Sequence, residues 1–395
     1  MLGKIKSWFK KTPSITMVLN FLDSSKKTIL VIDDDLPQHD KSSGSKRLFE
    51  IIKIFKNLDF NVVYLPNNGL RVSPYYEQLI QLGVDVLLNS PDRDGMLYNL
   101  ERLKNEIDYA WISRPILNIE FRKLLKSNKK IKIIFDTVDL HFVRMLRQAE
   151  KEQNEKLKKK AIKFKKIELG LAKDADATLV VTETELGLLE KEGINNIFVI
   201  PNVHELCIPE TEISFENRKG IVFIGGYKHE PNVDAVEWLI NEIMPMVWNK
   251  LGNIPVYLLG SFPPEKVKSL AGDHVFVPGF LEDVSSYFLH TRIFVAPLRY
   301  GAGMKGKIGQ SLEFGLPIVS TEIGTEGMNL THEKNVMLAN ETNDFADKIV
   351  KLYQDVNLWN TIKGNAHESI LSYTPMEVSK KLTELFNKLD HNTKT

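Results

Sequence analysis

The sequence predicts an α/β protein made of two Rossmann-like parallel-sheet domains that face each other across a cleft. Three observations predict it. Short apolar runs alternate with stretches of helical spacing from Lys27 onward, the pattern of a parallel sheet covered on both faces. The alternation halts at the helix-free segment 205–219, which carries Pro209, and then restarts. At 395 residues the chain is long enough for two or three separate cores, at roughly 150 residues per domain.

The first series opens with "TILVIDDD", an apolar run ended by acids. "SGSKRLFEIIKIFKNL" follows with helical spacing at Leu48, Ile51, Ile52 and Phe55, and "NVVYL" completes a β-α-β unit. Further strands are expected at "VDVLL", "YAWIS", "IKIIFDTV", "ATLVV" and "IFVIPN". The second series starts at "GIVFIGGYKHEPNVDAVEWLINEIMPMVW", a strand, a Gly-containing turn and a helix with Pro231 near its start. "IPVYLLGS", "VFVPG", "IFVAPL", "LPIVST" and "NVMLA" supply its other strands. The expected organisation is a basic leader over 1–26, a first domain over 27–204, a linker over 205–219, a second domain over 220–365, and C-terminal helices over 366–395.

Composition excludes several classes. Hydrophobic residues at 43% and charged residues at 26% are those of an ordinary globular chain. The single Cys207 forms no internal disulfide, so a reducing compartment is expected. A balance of 52 Lys plus Arg against 51 Asp plus Glu argues against a nucleic-acid-binding surface. No apolar run reaches about 18 residues, so no membrane-spanning helix is expected. Two basic stretches leave an anionic membrane surface open as a partner. The leader has Lys4, Lys6, Lys10 and Lys11 around Trp8 and Phe9 without an acid, and between Lys151 and Lys173 nine Lys face three Glu. A loosely packed leader and a solvated helix face are the plainer alternatives. The expected location is cytoplasmic, with peripheral attachment at the inner face of the plasma membrane as its extension.

Open parallel sheets bind ligands at the carboxyl ends of their strands, and the unusual polar residues lie there. The densest cluster is "APLRYGAGMKGKIGQSLEFGLPIVSTEIGTEGM", where Gly301, Gly303, Met304, Lys305 and Lys307 lead from a strand into a helix. Glycines admit a ligand close to the backbone, helix-opening N–H groups favour phosphate, and two lysines add charge. A diphosphate is the natural ligand. Gly225 and Gly226, with Lys228 as cation, offer a second close approach, and His229 is read either as a helix cap or as a ligand contact. In the first domain "PQHDKSSGSKR" gives a polar turn of Asp40, Ser43, Gly44 and Ser45, whose plainer reading is a helix cap at Ser43 or Ser45.

These segments resemble retaining glycosyltransferases of family 4, the glycosyl transferases group 1 type with the two-domain GT-B fold. "FIGGYKHEPNVDAVEWLINEIMP" and "VPGFLEDVSSYFLHTRIFVAPLRYGAG" resemble that family's C-terminal domain, and "FDTVDLHFVRMLRQAE" resembles part of its N-terminal domain. The resemblance implies a nucleotide-sugar site at the Gly-rich turn, with Gly279, Phe280 and Leu281 reading the base and the Asp40–Ser45 loop lying over phosphates and acceptor. It also implies Asp139 or His141 facing the donor sugar. The family has two Glu eight positions apart at this turn, whereas this chain has Ala302 and Gln310. Gln310 still donates and accepts hydrogen bonds to a ribose diol. Some branches carry GxKxK in place of the first Glu, which fits Lys305 and Lys307, and Glu313 is an alternative acid about one helical turn on.

Other readings compete. "VIDDD" suggests a receiver module, but the phosphoacceptor position holds Asn89. Asp92–Asp94 matches the Asp-x-Asp metal motif of the other large transferase fold, yet two α/β domains in series argue against it. A sugar-nucleotide epimerase of the same fold, or a non-catalytic homologue, remains as the alternative. The expected function is transfer of a sugar from a nucleotide-diphosphate donor to a glycan or lipid-linked acceptor. Retention of configuration, no metal or other cofactor, and a setting in bacterial envelope polysaccharide synthesis (O-antigen, capsule or lipopolysaccharide) complete the expectation.

Overall fold

The computed structural model describes residues 22–89 and 92–391. The basic cluster of Lys4, Lys6, Lys10 and Lys11 lies outside the described residues. Among the described residues the strands fall into two sheets, one of seven and one of six. The expected strands are all present. The chain divides into two compact units, the first up to Pro37 together with Ile52–Asp136, the second Gln38–Ile51 together with everything from Thr137 on.

In the first unit β1 (Thr28–Asp33), β2 (Asn61–Pro66), β3 (Asp85–Val86), β4 (Tyr109–Ser113) and β5 (Lys132–Asp136) lie in the order β3-β2-β1-β4-β5. Thr28 pairs with Asn61 and Ile29 with Tyr109, both in parallel. Every residue of β1 is buried, as a strand covered on both faces requires. Leu30 and Ile32 join Val63, Leu65, Ala110 and Ile112 in one core with Met96, Leu100 and Phe121. Trp111 meets Phe55 edge-on at 5.4 Å, and its indole N–H donates to Asp136 at 3.1 Å. Asp92 accepts from Gly95 N at 3.0 Å and so caps the helix Arg93–Leu103.

The second unit holds the parallel pair β6 (Ala177–Val180) and β7 (Ile197–Val199), then β8 (Ile221–Ile224), β9 (Val256–Leu259), β10 (Val275–Gly279), β11 (Ile293–Ala296), β12 (Ile318–Ser320) and β13 (Met337–Leu338). The last six form one sheet in the order β10-β9-β8-β11-β12-β13. Period-two alternation sorts its residues onto two cores. Ile221 and Phe223 pack with Val233, Trp238 and Ile349 on one face, and Val222, Phe294 and Ile318 pack with Ile308, Leu312 and Ile370 on the other. Strand order reverses between β8 and β11, so a crevice opens at their carboxyl ends.

Trp359 ties the chain after β7 to this domain. It is buried, meets Phe215 edge-on at 5.5 Å, lies under the Arg218 guanidinium and donates its N–H to Arg292 O at 2.7 Å. The C-terminal helix Pro375–His391 buries Val378, Leu382 and Leu385, and the Lys388 ammonium lies over the Phe198 ring of β7. None of the described helices is long and apolar enough to cross a membrane. Replacing Trp359 by Ala removes a large, fully packed side chain and leaves the Arg292 carbonyl without its donor. We expect a loss of about 3–5 kcal/mol, read as a lowered urea midpoint.

Candidate functional site

The site is built where β8 and β11 end, all of it within the second compact unit. At the end of β8, Gly225 N donates to Leu259 O at 3.0 Å. There is no room for a side chain, because a Cβ would lie 2.7 Å from Lys307 Nζ and 2.7 Å from Asn232 Cγ. Asn232 bridges the two segments: its Nδ2 donates to Gly226 O at 2.8 Å and its Oδ1 accepts from Lys307 Nζ at 2.5 Å. The Lys307 ammonium is 4.2 Å from the Phe223 ring centre. Among the described residues no carboxylate stands within ion-pair distance of it. Burial, and then the neighbouring Lys305, push its pKa down to about 7.

The Gly-rich turn runs from β11 into the helix Gly306–Glu313. Gly303 takes φ of 67°, where a side chain is strained, and a Cβ there would also stand 3.0 Å from Asp139 Cβ. Gly306 abuts Ser43, whose Oγ would be 2.7 Å from an added Cβ. Met304 is buried, and its carbonyl accepts from Asn202 Nδ2 at 3.3 Å. Lys305 Nζ donates to Gly303 O at 2.8 Å and to Glu326 at 3.2 Å.

The segment after β5 supplies the opposite wall. Val138 has φ of 63°, a strained position for a β-branched residue. Two buried glutamates fasten the loop that follows. Glu185 accepts from Leu140 N at 3.0 Å and Val181 N at 3.2 Å, while Glu168 accepts from His141 N at 3.1 Å and Phe142 N at 2.7 Å. Burial raises both, Glu185 to about 7 and Glu168 to about 8. The Asp139 carboxylate stands 3.2 Å from His141 Nε2 and 3.0 Å from Arg144 Nε. Neither approach is aligned as a hydrogen bond, since both nitrogens lack a bonded partner. Burial opposes the Asp139 charge, but His141 and Arg144 outweigh it and hold the group well below the usual range. The His141 ring stacks on Phe164 at 5.9 Å.

His229 sits at the rim, solvent-accessible yet crowded by protein on several sides. Crowding, and then Arg144, push it down to about 4. It occupies the cap position of the helix Glu230–Trp238 but makes no cap hydrogen bond, so the capping reading does not hold.

Other expected residues stand apart from this cluster. Lys228 is exposed, 4.0 Å from the Phe262 ring centre. Gly279, at φ of 81°, ends β10; Phe280 is exposed with Lys41 Nζ 5.6 Å from its ring centre, and Leu281 packs on the core. Asp40 is exposed, and Gly44 lies in the first turn of the helix Ser43–Asn57. That helix is capped by Ser42, whose Oγ accepts from Ser45 N at 3.2 Å, rather than by Ser43 or Ser45. Gln310 is half-buried on the helix Gly306–Glu313. Glu313 is not available as a substitute acid, because His204 Nδ1 at 2.7 Å and Lys46 Nζ at 3.1 Å occupy it.

Sequence reasoning missed Arg144, Arg147 and Glu326. Arg147 donates to Gly301 O at 2.7 Å and to both oxygens of Glu326 at 2.7 and 2.6 Å. The signal was the spacing of His141, Arg144 and Arg147 three residues apart on one helix face, together with an acid in "GTEGM", a few residues beyond a strand. Among the described residues no group of three or more His, Cys, Asp or Glu is arranged to hold a metal ion.

Residues 218–355 match the model of the family glycosyl transferases group 1. Over 325 residues, 78% of this chain and 80% of the other, the chain is 22% identical to an uncharacterized 44.6 kDa protein in the cps region of Klebsiella pneumoniae. Among solved structures, HepE of Anabaena in complex with UDP and glucose is similar at a TM-score of 0.68 and 14% identity, over 92% of this chain and 100% of that one. A mutant of TarM from S. aureus, in complex with fondaparinux, alpha-GlcNAc-glycerol and UDP, is similar at a TM-score of 0.69 and 15% identity, over 91% and 100%. Sucrose-phosphate synthase of Thermosynechococcus elongatus is similar at 0.67 and 12%, over 93% and 100%. By fold the chain is of the GT-B class, and its residues 218–355 are similar to the glycosyl transferases group 1 family.

Two titrations follow. With a pKa of about 7, Lys307 is partly deprotonated near neutrality, and an anion bound against it would restore its proton. Nucleotide binding at pH 8 is therefore expected to take up as much as about one proton, with affinity falling as pH rises above 7; calorimetry in buffers of different ionisation enthalpy reads this. Glu168 and Glu185 have folded-state pKa values raised above 4.5. Their contribution to stability is full below pH 4.5 and is lost as pH rises through about 7 to 8. Glu168→Gln should flatten this part of a stability-against-pH curve from chemical denaturation.

Proposed function

We propose that this protein is a retaining, metal-independent glycosyltransferase that moves a sugar from a nucleotide diphosphate to a glycan or lipid-linked acceptor. In this reading residues 27–204 form the acceptor side and 220–365 the nucleotide-sugar domain. One observation carries it: a buried ammonium, Lys307, with no carboxylate beside it, at a glycine backbone and a helix start where a sheet changes strand order. An isolated buried cation is costly unless an anion joins it, and a diphosphate joins it here. HepE crystallised with UDP and glucose, and TarM with UDP, support the donor class. The relative in a cps region supports an envelope-polysaccharide setting.

In the proposed reaction the sugar–phosphate bond breaks while charge develops on the departing diphosphate. Lys307, the Gly225 and Gly226 backbone and the N–H groups opening the helix Gly306–Glu313 stabilise that charge. A β-phosphate oxygen takes the acceptor proton, on the same face from which the diphosphate leaves, which retains configuration. Asp139, His141 and Arg144 line the sugar side, and Gln310 holds the ribose. The lysine-rich helix Glu155–Asp174 exposes Lys156, Lys159, Lys160, Lys163 and Lys166 beside Ile162 and Ile167. This face suits anionic lipid at about 1 kcal/mol per lysine, and a peripheral position on the inner membrane face brings the enzyme to a lipid-linked acceptor.

Calorimetry with UDP-, GDP-, dTDP- and ADP-sugars, with and without EDTA, tests the donor reading. One base should bind equally well in both conditions, and Lys307→Ala should weaken it ten- to hundredfold, the order expected for a lost charge-assisted contact. Equal binding by Lys307→Ala, or binding that needs a divalent ion, would sink the proposal. Product analysis distinguishes transfer from epimerisation, since an epimerase converts the donor without an acceptor. Sedimentation with phosphatidylglycerol vesicles should fall when Lys159, Lys160, Lys163 and Lys166 are changed to Gln, and unchanged sedimentation would refute the membrane face.

A further inference from the structure

The two lysines of the Gly-rich turn are not equivalent. Lys307 meets only the neutral Asn232 and the Phe223 ring, whereas Lys305 is already engaged by Gly303 O and Glu326. Between Tyr300 and Leu312 the chain has no acid at all. The carboxylate at the turn comes instead from Glu326, in the segment after β12, and it is gripped on both oxygens by Arg147. The same guanidinium also donates to Gly301 O. One planar fork therefore fixes a carbonyl at the start of the turn, and through the carboxylate it fixes the ammonium at the turn's end. Arg147 is 28% and Glu326 14% exposed at the side chain, so the pair is shielded from most of the screening that makes surface ion pairs weak.

We propose that Glu326 is a positioning residue of the donor turn: clamped by Arg147, it holds the Gly301–Lys305 backbone and the Lys305 ammonium in the arrangement that receives a nucleoside diphosphate. The proposal rests on the donor reading of this turn. It divides the work between the lysines, Lys307 as the cation that meets the phosphates and Lys305 as the strut that keeps the turn open. Glycines at 301 and 303 leave the turn with little rigidity of its own, and the clamp supplies it from outside the segment.

Lys305 is also the group whose protonation the clamp governs. Burial pulls its pKa down, and Glu326 opposes that fall. The other charges facing it are Arg147 on the helix His141–Lys151, Glu185 on the helix Glu183–Lys191, Lys307 on its own helix and His229 at the neighbouring cap. Without Glu326 the cations dominate, and Lys305 loses its proton at a lower pH.

The test measures binding of UDP, GDP, dTDP and ADP to the full chain by calorimetry, then repeats the tightest of them with Glu326→Gln, Glu326→Asp, Arg147→Lys, Arg147→Met and the Glu326→Gln, Arg147→Met double variant. Glu326→Gln and Arg147→Met should each weaken binding about tenfold, and the double variant should lose no more than the worse single one, as residues acting as a unit do. Glu326→Asp should recover part of the loss. Between pH 7 and 9 the affinity of Glu326→Gln should fall more steeply than that of wild type. Wild-type affinity and pH profile in Glu326→Gln, or additive losses in the double variant, would overturn the clamp while leaving the donor reading intact. Absence of binding by wild type to all four nucleotides would overturn the donor reading and the clamp together. If Glu326→Gln does not fold, Arg147→Lys, which keeps the charge but loses the fork, decides the matter by the same comparison.

Discussion

A buried amine that no carboxylate pairs with is the constraint on which the rest of the site depends. Lys307 opens a helix whose other inward residues, Ile308 and Leu312, are core, so its ammonium is carried under the sheet end rather than into solvent. Holding it there requires an amide oxygen, an aromatic face and a backbone free of side chains, and Asn232, Phe223 and Gly225 provide one each. None of the three can change alone without disturbing the others. The fold places them together because β8 and β11 are neighbours whose connections leave in opposite directions.

Around that charge the chain arranges others in pairs. The helix His141–Lys151 presents Arg144, Arg147 and Lys151 along one face, and each has an acid opposite: Asp139, Glu326 and Asp234. Asp234 is shared with Arg299, which grips it at 3.0 and 2.7 Å. Lys305 too has its acid, Glu326, whereas Lys307 has none among the described residues. The strained Val138 and the doubly fastened loop after it keep Asp139 close to Gly303, so the loop after β5 and the Gly-rich turn are set by the same contact.

Much of this was legible in the sequence because it is local. Strand and helix periods, the break at Pro209 and the run of Gly and Lys between Gly301 and Lys307 are patterns within a few residues of each other, and the fold and the Gly-rich turn follow from them. Long-range partners were not legible. Nothing near Glu326 in sequence indicates Arg147, 179 residues away, and nothing near Glu313 indicates that His204 and Lys46 have already claimed it. Lys228 was chosen for its position after a strand, but an exposed aromatic, Phe262, draws it aside. The helix cap was misplaced by one residue, Ser42 for Ser43, because three serines within four positions are equivalent until the backbone chooses among them.

The contact between His204 and the helix Gly306–Glu313 bears on how this part of the molecule moves. Gly309 has no side chain, and one added there would fall inside the His204 ring; the same imidazole is tied to Glu313 one turn further along, and its backbone N–H donates to Tyr373 O at 2.9 Å. The stretch leading out of β7 is therefore keyed into a slot in the helix that begins at the Gly-rich turn. It is no slack tether. Any swing that displaces this stretch has to draw a ring out of a fitted groove and part its hydrogen bond to Glu313, or else carry the helix with it, so the connector and the helix Gly306–Glu313 travel as one body. Chimeras that exchange one without the other would join a key to the wrong lock.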